Sequence, residues 1–259
     1  MEKGVPVRAI SRGFAALEAI NLRNSMTMTE VSKAINVPYP TACRIVQTLV
    51  HEGFVEQEPN RKRYRTTVLV RSLSNGYRLE DEVAGRARGH MEALTEEFSW
   101  PVSLLTRVAS RMVVIDSTHC LTSSTFINYH PGDSIPFYET ASGKVWLAFC
   151  SDQERGILLN GPVEPQTETD GSTNFFRFAG EVVESVRENG YALHSRCEVA
   201  NGSFRSTTIA VPVFRDGELI TALALTFFSA ALRRNDAVEQ FSGELIRNAQ
   251  LISSILSRG

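Results

Sequence analysis

No stretch of this 259-residue sequence comes near the roughly 18 consecutive apolar residues that a helix needs to cross a bilayer. The start, Met1-Glu2-Lys3-Gly4-Val5-Pro6, lacks the apolar core of a secretory signal. Cysteine is scarce: Cys43, Cys120, Cys150 and Cys197 are widely spaced and form no CxxC pair. They read as buried, reduced thiols of a cytoplasmic protein, and they exclude a zinc site or a disulfide framework. His51, His90, His119, His130 and His194 show no HxH, HExxH or HxxxH spacing, so no metal signature is present. Gly143-Lys144 lacks the upstream glycine of a phosphate-binding loop. Asp116-Ser117-Thr118-His119 gathers polar groups, but no nucleophile elbow surrounds Ser117, and the four read as residues finishing a strand. These absences argue against an enzyme and call for no cofactor, metal or membrane.

What is present is an uneven charge distribution. The net charge is −2, yet residues 1–80 hold 12 Lys/Arg against 7 Asp/Glu, and the remainder holds 15 against 22. A basic N-terminal third joined to an acidic remainder suggests that one part meets a polyanion and the other does not. With 42% hydrophobic and 22% charged residues the chain has the composition of a folded globular protein.

The spacing of Ile10, Phe14, Leu17 and Ile20 predicts a helix over 9–23 with that stripe buried. A polar break, Ser25-Met26-Thr27-Met28-Thr29-Glu30, offers threonines to cap a second helix over 28–35, with Val31, Ala34 and Ile35 inward. Asn36 stands where a tight reversal needs left-handed backbone, and Val37 pins that turn to the core. Pro38-Tyr39-Pro40-Thr41 opens a third helix, where first-turn prolines are tolerated, and Gly53 ends it. Two short helices about a tight turn form a helix-turn-helix unit, whose second helix enters the major groove.

The sequel is more specific. Phe54-Val55-Glu56-Gln57 alternates as a strand, Pro59-Asn60-Arg61-Lys62 turns, and Arg63-Tyr64-Arg65-Thr66 returns. A basic hairpin after the third helix is the wing of a winged helix, suited to phosphates or the minor groove. Candidate DNA contacts are Arg8, Thr29, Tyr39, Pro40, Thr41, Arg44 and Gln47, with Arg61, Lys62, Arg63 and Arg65 as wing clamps. Arginine takes guanine bidentately, glutamine takes adenine, and threonine serves phosphate or a thymine methyl.

A short amphipathic segment over 68–77 ends at Asn75-Gly76. A helix over 80–98 follows, with Val83, Ala87, Met91, Leu94 and Phe98 on one stripe; core packing and a dimer contact both explain that periodicity. Beyond Pro101 the pattern turns to strands over 102–108, 112–117, 206–213 and 219–228, with Arg215-Asp216-Gly217-Glu218 as a hairpin turn. Helices are expected over 142–149, 152–159, 175–189 and 236–256. The fold class is α+β: a winged helix-turn-helix over 1–67, linker helices over 68–98, and over 99–259 an antiparallel sheet flanked by helices.

Several separate motifs in order resemble the IclR family of bacterial transcription regulators. They are Val7-Arg8-Ala9-Ile10-Ser11-Arg12-Gly13, Leu17-Glu18, and Thr29-Glu30-Val31 through Arg44. Toward the C-terminus they are Thr140-Ala141-Ser142-Gly143-Lys144, Val186-Arg187-Glu188-Asn189-Gly190-Tyr191 and Thr208-Ile209-Ala210-Val211-Pro212-Val213. The pattern departs at Asn36, where glycine is usual, and at Ser32, where alanine is usual. The resemblance implies a GAF/profilin-like C-terminal domain that binds an effector and self-associates as a dimer or a dimer of dimers on a palindromic operator in double-stranded DNA. Trp100-Pro101, Val113-Val114, Asp116 to His119 and Trp146 to Cys150 are similar to the family's regulators of hydroxyphenylpropionate catabolism, which implies an aromatic carboxylic acid and a catabolic operon. Effector positions carried over by motif are Ala141, Ser142, Glu198, Thr208, Ala224 and Thr226, with Glu198 in a loop, and Gly143 is a further candidate because a glycine there allows close approach.

Read physically, Thr140-Ala141-Ser142-Gly143 is a small-residue turn into an apolar helix, whose free amides suit a carboxylate. Trp146, Leu104, Val114, Phe227 and Phe228 are candidate apolar walls, and Arg107 or Arg205 could be a cationic partner. A regulator of central metabolism sensing a small keto acid and a redox sensor using Cys120, Cys150 or Cys197 are the alternatives; no basic cluster flanks those thiols to activate them.

Overall fold

The computed structural model describes residues 6–74, 79–124, 129–160, 179–198 and 204–258. The expected break at Asn75-Gly76 and the first residues of the helix expected from Phe175 lie outside them. The chain divides into two compact units, Met1–Arg78 and Leu79–Gly259. No helix among the described residues is long and apolar enough to cross a membrane.

The first unit runs α1 (Arg8–Arg23), β1 (Met26–Thr27), α2 (Met28–Ala34), α3 (Tyr39–His51), β2 (Val55–Gln57) and β3 (Arg63–Thr66), then a 3-10 segment, Val68–Ser74. Thr27 starts α2 with a full capping box. Its amide donates to Glu30 Oε2 at 2.7 Å, and its hydroxyl accepts from the Glu30 amide at 3.3 Å. Asn36 does adopt left-handed backbone, with φ 48°. Both departures from the family pattern are accommodated: the Ser32 hydroxyl donates to the Val37 carbonyl at 2.7 Å and ties the turn to the helix before it. Gly53, with φ 79°, ends α3. Antiparallel β1-β3-β2 forms the wing; the two-residue β1, too short to show alternation, pairs Met26 with Tyr64 and Thr27 with Arg63.

The α1 stripe is only half buried. Leu17 and Ile20 join Ala16, Val31, Val37, Ala42, Val46 and Val55 in the core, whereas Ile10 and Phe14 are 59% and 64% exposed. Periodicity identifies a face but not how far along it a partner extends, and the first turns of α1 overhang the core. Ala34 is likewise exposed, on the last turn of α2. In the 3-10 segment Val68, Leu69 and Leu73 are exposed.

The second unit is built on a six-stranded antiparallel sheet in the order β6-β5-β4-β9-β8-β7. The strands are β4 (Val102–Val108), β5 (Arg111–Ser117), β6 (Ser134–Pro136), β7 (Ala192–Glu198), β8 (Phe204–Arg215) and β9 (Glu218–Phe228). Neither β6 nor β7 carries a strand pattern in the sequence. The first is three residues long, and the second reads His194-Ser195-Arg196, three successive polar residues that break the apolar alternation marking a strand. Glu198, expected in a loop, ends β7 and pairs with Phe204.

One sheet face carries α4 (Leu79–Phe98) and α8 (Arg234–Leu256) over Leu104, Ile209, Val211, Leu223 and Leu225. The α4 stripe, Val83, Ala87, Met91 and Leu94, is buried there, so core packing accounts for it. The other face carries α5 (Ala141–Phe149) and α7 (Ala179–Asn189), with α6 (Asp152–Asn160) packing beside them through Leu158. On that face β8 and β9 present Ala210, Ala222 and Ala224, small enough for α5 to sit close. Lys144 fastens α5 to β7 by donating to the Leu193 carbonyl at 2.8 Å.

Candidate functional site

On α3, helical geometry sends Pro40, Arg44, Gln47 and His51 outward from one face, with Tyr39 and Thr41 at its flanks. All are exposed except Thr41, which is half-buried. His51 on this face was missed because it follows the residues that read as a groove-facing set. Arg8 and Thr29 are exposed at the starts of α1 and α2.

The wing cations divide into two groups. Arg63 turns back into the unit, where Nε donates to Ser25 Oγ at 2.9 Å, Nη2 donates to the Ser25 carbonyl at 2.7 Å, and Glu30 lies 3.4 Å away. Arg65 pairs across the hairpin with Glu56 at 2.7 Å. At the tip, the Arg61 side chain is 72% exposed with Glu58 a distant 3.9 Å off, and Lys62 is exposed. Arg61 and Lys62 are therefore the wing cations most available to an external phosphate.

In the second unit a cavity opens where the N-terminus of α5 meets the sheet. Strand alternation brings Ser103 and Leu105 (β4), Val114 (β5), His194 and Arg196 (β7), Ser206 and Thr208 (β8), and Ala224 and Thr226 (β9) to it, beside Ala141 and Ser142. Thr208 and Thr226 are hydrogen-bonded to each other at 2.9 Å. Thr140 caps α5, its hydroxyl accepting from the Gly143 amide at 2.9 Å. The Lys144 amide is satisfied by the Thr140 carbonyl at 3.3 Å. The Ala141 and Ser142 amides have no carbonyl within the helix to bond and lie at the cavity, with the positive end of the helix dipole behind them.

The structure brings Ala141, Ser142, Thr208, Ala224 and Thr226 together, with Val114, Phe227 and Phe228 among the walls. Gly143 and Trp146 are placed elsewhere. A Cβ on Gly143 would lie 1.9 Å from the Phe137 carbonyl oxygen, so this glycine allows α5 to approach the preceding turn. The Trp146 indole donates to Glu154 Oε1 at 2.9 Å. Leu104 faces the α4 side with Val102, and by strand alternation the cavity receives Ser103 and Leu105. Arg107 is held by Glu154 at 2.6 Å, and Arg205 is exposed rather than at the cavity. The Glu198 side chain lies outside the described residues.

His119 and His194 also line the cavity and were not expected there. Burial, aided by His130, lowers the His119 pKa to about 4; burial, aided by Lys144 and Arg196, lowers that of His194 to about 4. Arg88 on α4 grips the start of the Asp116–His119 run, donating to both Asp116 oxygens at 3.0 and 3.1 Å and to the Ser117 carbonyl at 3.2 Å. Thr95 on α4 meets Thr118 at 2.6 Å. Among the thiols, Cys120 is exposed rather than buried, Cys43 is half-buried, and burial pushes the Cys150 pKa up, away from the reactive thiolate.

A winged helix with an outward basic face, followed by an α+β unit holding a cavity at a helix N-terminus, has the build of a ligand-responsive transcription regulator. Residues 77–254 match the family described as bacterial transcriptional regulator IclR C-terminal, and residues 9–59 match the IclR helix-turn-helix domain. The chain belongs to the IclR family: it is a DNA-binding transcription regulator with an effector-binding C-terminal domain, and not an enzyme. It is 28% identical to the HTH-type transcriptional regulator KdgR of Escherichia coli, over 85% of this chain and 82% of that protein. The fold is shared with an IclR-family regulator from Brucella abortus (TM-score 0.72, 21% identity, 98% of this chain and 94% of that one). It is also shared with an IclR homolog from Microbacterium hydrocarbonoxydans complexed with 4-hydroxybenzoate (TM-score 0.69, 22% identity, 97% and 100%).

Proposed function

We propose that the protein is a cytoplasmic regulator of a catabolic operon whose effector is an aromatic carboxylic acid bound in the second-unit cavity. The observation that carries this reading is the pair of Ala141 and Ser142 amides at the cavity, faced by the polar side chains of Ser206, Thr208 and Thr226. Apolar walls from Leu105, Val114, Ile135, Phe227 and Phe228 suit a ring, and the 4-hydroxybenzoate complex of the Microbacterium homolog agrees with that choice. Thermal-shift measurements with benzoates, phenylpropionates and small keto acids test it. Stabilisation by aromatic acids alone supports the reading, stabilisation by keto acids alone replaces it with control of central metabolism, and none refutes both.

On the DNA side, Tyr39, Pro40, Thr41, Arg44 and Gln47 read the major groove, Arg8 and Thr29 touch backbone, and Arg61 and Lys62 hold phosphate across the wing. Arg63 and Arg65 have a smaller part, given their partners within the hairpin. The open apolar side chains Val7, Ile10 and Phe14 favour self-association, as a dimer or dimer of dimers on a palindromic operator. Effector binding shifts the population of dimer arrangements and so the spacing of the two reading heads. Arg44→Ala with both tip cations neutralised should abolish retention of a promoter fragment at low salt; unchanged binding refutes this assignment.

A further inference from the structure

At the cavity, His119 is a polar group with no task in binding a carboxylate. Its side chain belongs to a residue only 4% exposed, lines the cavity, and stands edge-on to Tyr129 with ring centroids 5.2 Å apart. Its Nε2 is buried and has no hydrogen-bond partner among the described residues. Buried polar atoms are almost always paired, so an exception at a cavity wall points to a ligand atom.

The hydrogen bonds around Ser117 decide what that nitrogen offers. Ser117 Oγ accepts from the Ser103 hydroxyl at 3.1 Å and from the His119 amide at 3.3 Å. A hydroxyl has two acceptor positions and one proton. With both acceptor positions taken, the Ser117 proton is directed to His119 Nδ1, which the hydroxyl touches. Nδ1 is then the acceptor, and the single proton of the neutral ring resides on Nε2. The lowered pKa of about 4 keeps the ring in that neutral form near pH 7.

We propose that His119 is a specificity residue whose Nε2–H selects effectors bearing, besides their carboxylate, a second neutral oxygen acceptor such as a ring hydroxyl or a carbonyl. This rests on the reading that the carboxylate sits at the Ala141 and Ser142 amides. Selection is one-sided, because an acid lacking the second oxygen leaves a buried donor unpaired while gaining nothing in return. A neutral oxygen fits better than a second carboxylate, since an anion at Nε2 would favour protonation of a ring that burial keeps uncharged.

The test is calorimetric titration of the full chain with acids that differ by one oxygen: benzoate against 3- and 4-hydroxybenzoate, 3-phenylpropionate against 3-(4-hydroxyphenyl)propionate, and propionate against pyruvate. In at least one set the oxygenated acid should bind about 3- to 30-fold more tightly. His119→Phe should bring that preference below about twofold while still binding the parent acid, and His119→Gln, which keeps an N–H near the position of Nε2, should restore part of it. Equal binding of oxygenated and parent acids by the unaltered chain overturns the proposal and leaves the carboxylate reading standing. A preference that survives in folded His119→Phe also overturns it. Binding of no acid removes the carboxylate reading and this inference with it. If His119→Phe melts before binding can be read, the wild-type comparison and His119→Gln decide: a preference lost altogether in folded His119→Gln counts against the N–H donor.

Discussion

Gly143→Ala should destabilise the second unit, although the same change in an exposed helix interior gains about 1 kcal/mol. The added Cβ would lie 1.9 Å from the Phe137 carbonyl oxygen, 2.9 Å from its carbon and 3.0 Å from Thr140 Oγ1. Comfortable heavy-atom contact begins at roughly 3.5 Å, so α5 or the preceding turn must move by more than an ångström. That turn is anchored by Phe137, which is 0% exposed. Overpacking costs about 1–3 kcal/mol, and loosening the Thr140 cap about 1 more. Against the helix gain, the net loss is about 1–3 kcal/mol, or about 2–12 °C in melting temperature for a unit of this size. Gly89→Ala is the control: this α4 glycine is exposed, has nothing within 4 Å of its would-be Cβ, and should raise stability by about 0.5–1 kcal/mol. Calorimetric melting of the two variants measures both signs. A Gly143→Ala protein melting at or above wild type refutes the packing argument, and so does a pair of variants that shift alike.

Further outcomes follow from the geometry. Arg63→Ala should lower the stability of the first unit by about 1 kcal/mol, because its bonds to Ser25 and Glu30 are removed, with the salt dependence of DNA binding nearly unchanged. Lys62→Ala should do the reverse, leaving the melt within about 0.5 kcal/mol and reducing the salt slope by about 0.9 for each phosphate no longer neutralised. Thr27→Ala breaks the capping box and should cost about 1 kcal/mol in denaturant unfolding. Arg88→Ala should cost about 1–2 kcal/mol, with a coupling to Asp116→Asn in a double-mutant cycle; independent effects would show that the pair contributes nothing. Finally, His119 and His194 have folded pKa values of about 4 against about 6.5 unfolded, so between those values the unfolded chain binds more protons. Stability should hold above about pH 6.5 and decline as pH falls toward 4, and urea midpoints at pH 7 and pH 5 should differ less in His119→Gln and in His194→Gln than in wild type.

The elements that sequence alone located are those whose signal is local. The α4 stripe, the left-handed turn at Asn36, the Thr27 cap and the Asp216-Gly217 hairpin each follow from residues a few positions apart. Those residue types carry steric and hydrogen-bonding preferences that need no distant partner. The order of motifs was equally legible, and with it the family. Ala141, Ser142, Thr208, Ala224 and Thr226 met at one cavity as the motifs implied, because strand alternation and the α5 N-terminus are fixed by local pattern.

Tertiary structure decided what each side chain faces. Ile10 and Phe14 share a stripe with Ile20, yet only Ile20 has a core to enter. Arg63 reads as a phosphate clamp until β1, two residues long, brings Ser25 and Glu30 beside it. Trp146 reads as a wall until Glu154 on the next helix accepts from its indole, and Leu104 until the packed helices α4 and α8 claim its face of β4 and leave the cavity to Leu105. His119 reads as the polar end of a strand. Burial and the Ser103–Ser117 hydrogen bond, made across neighbouring strands, set its charge and the position of its proton, and those interactions are absent from any local stretch of sequence.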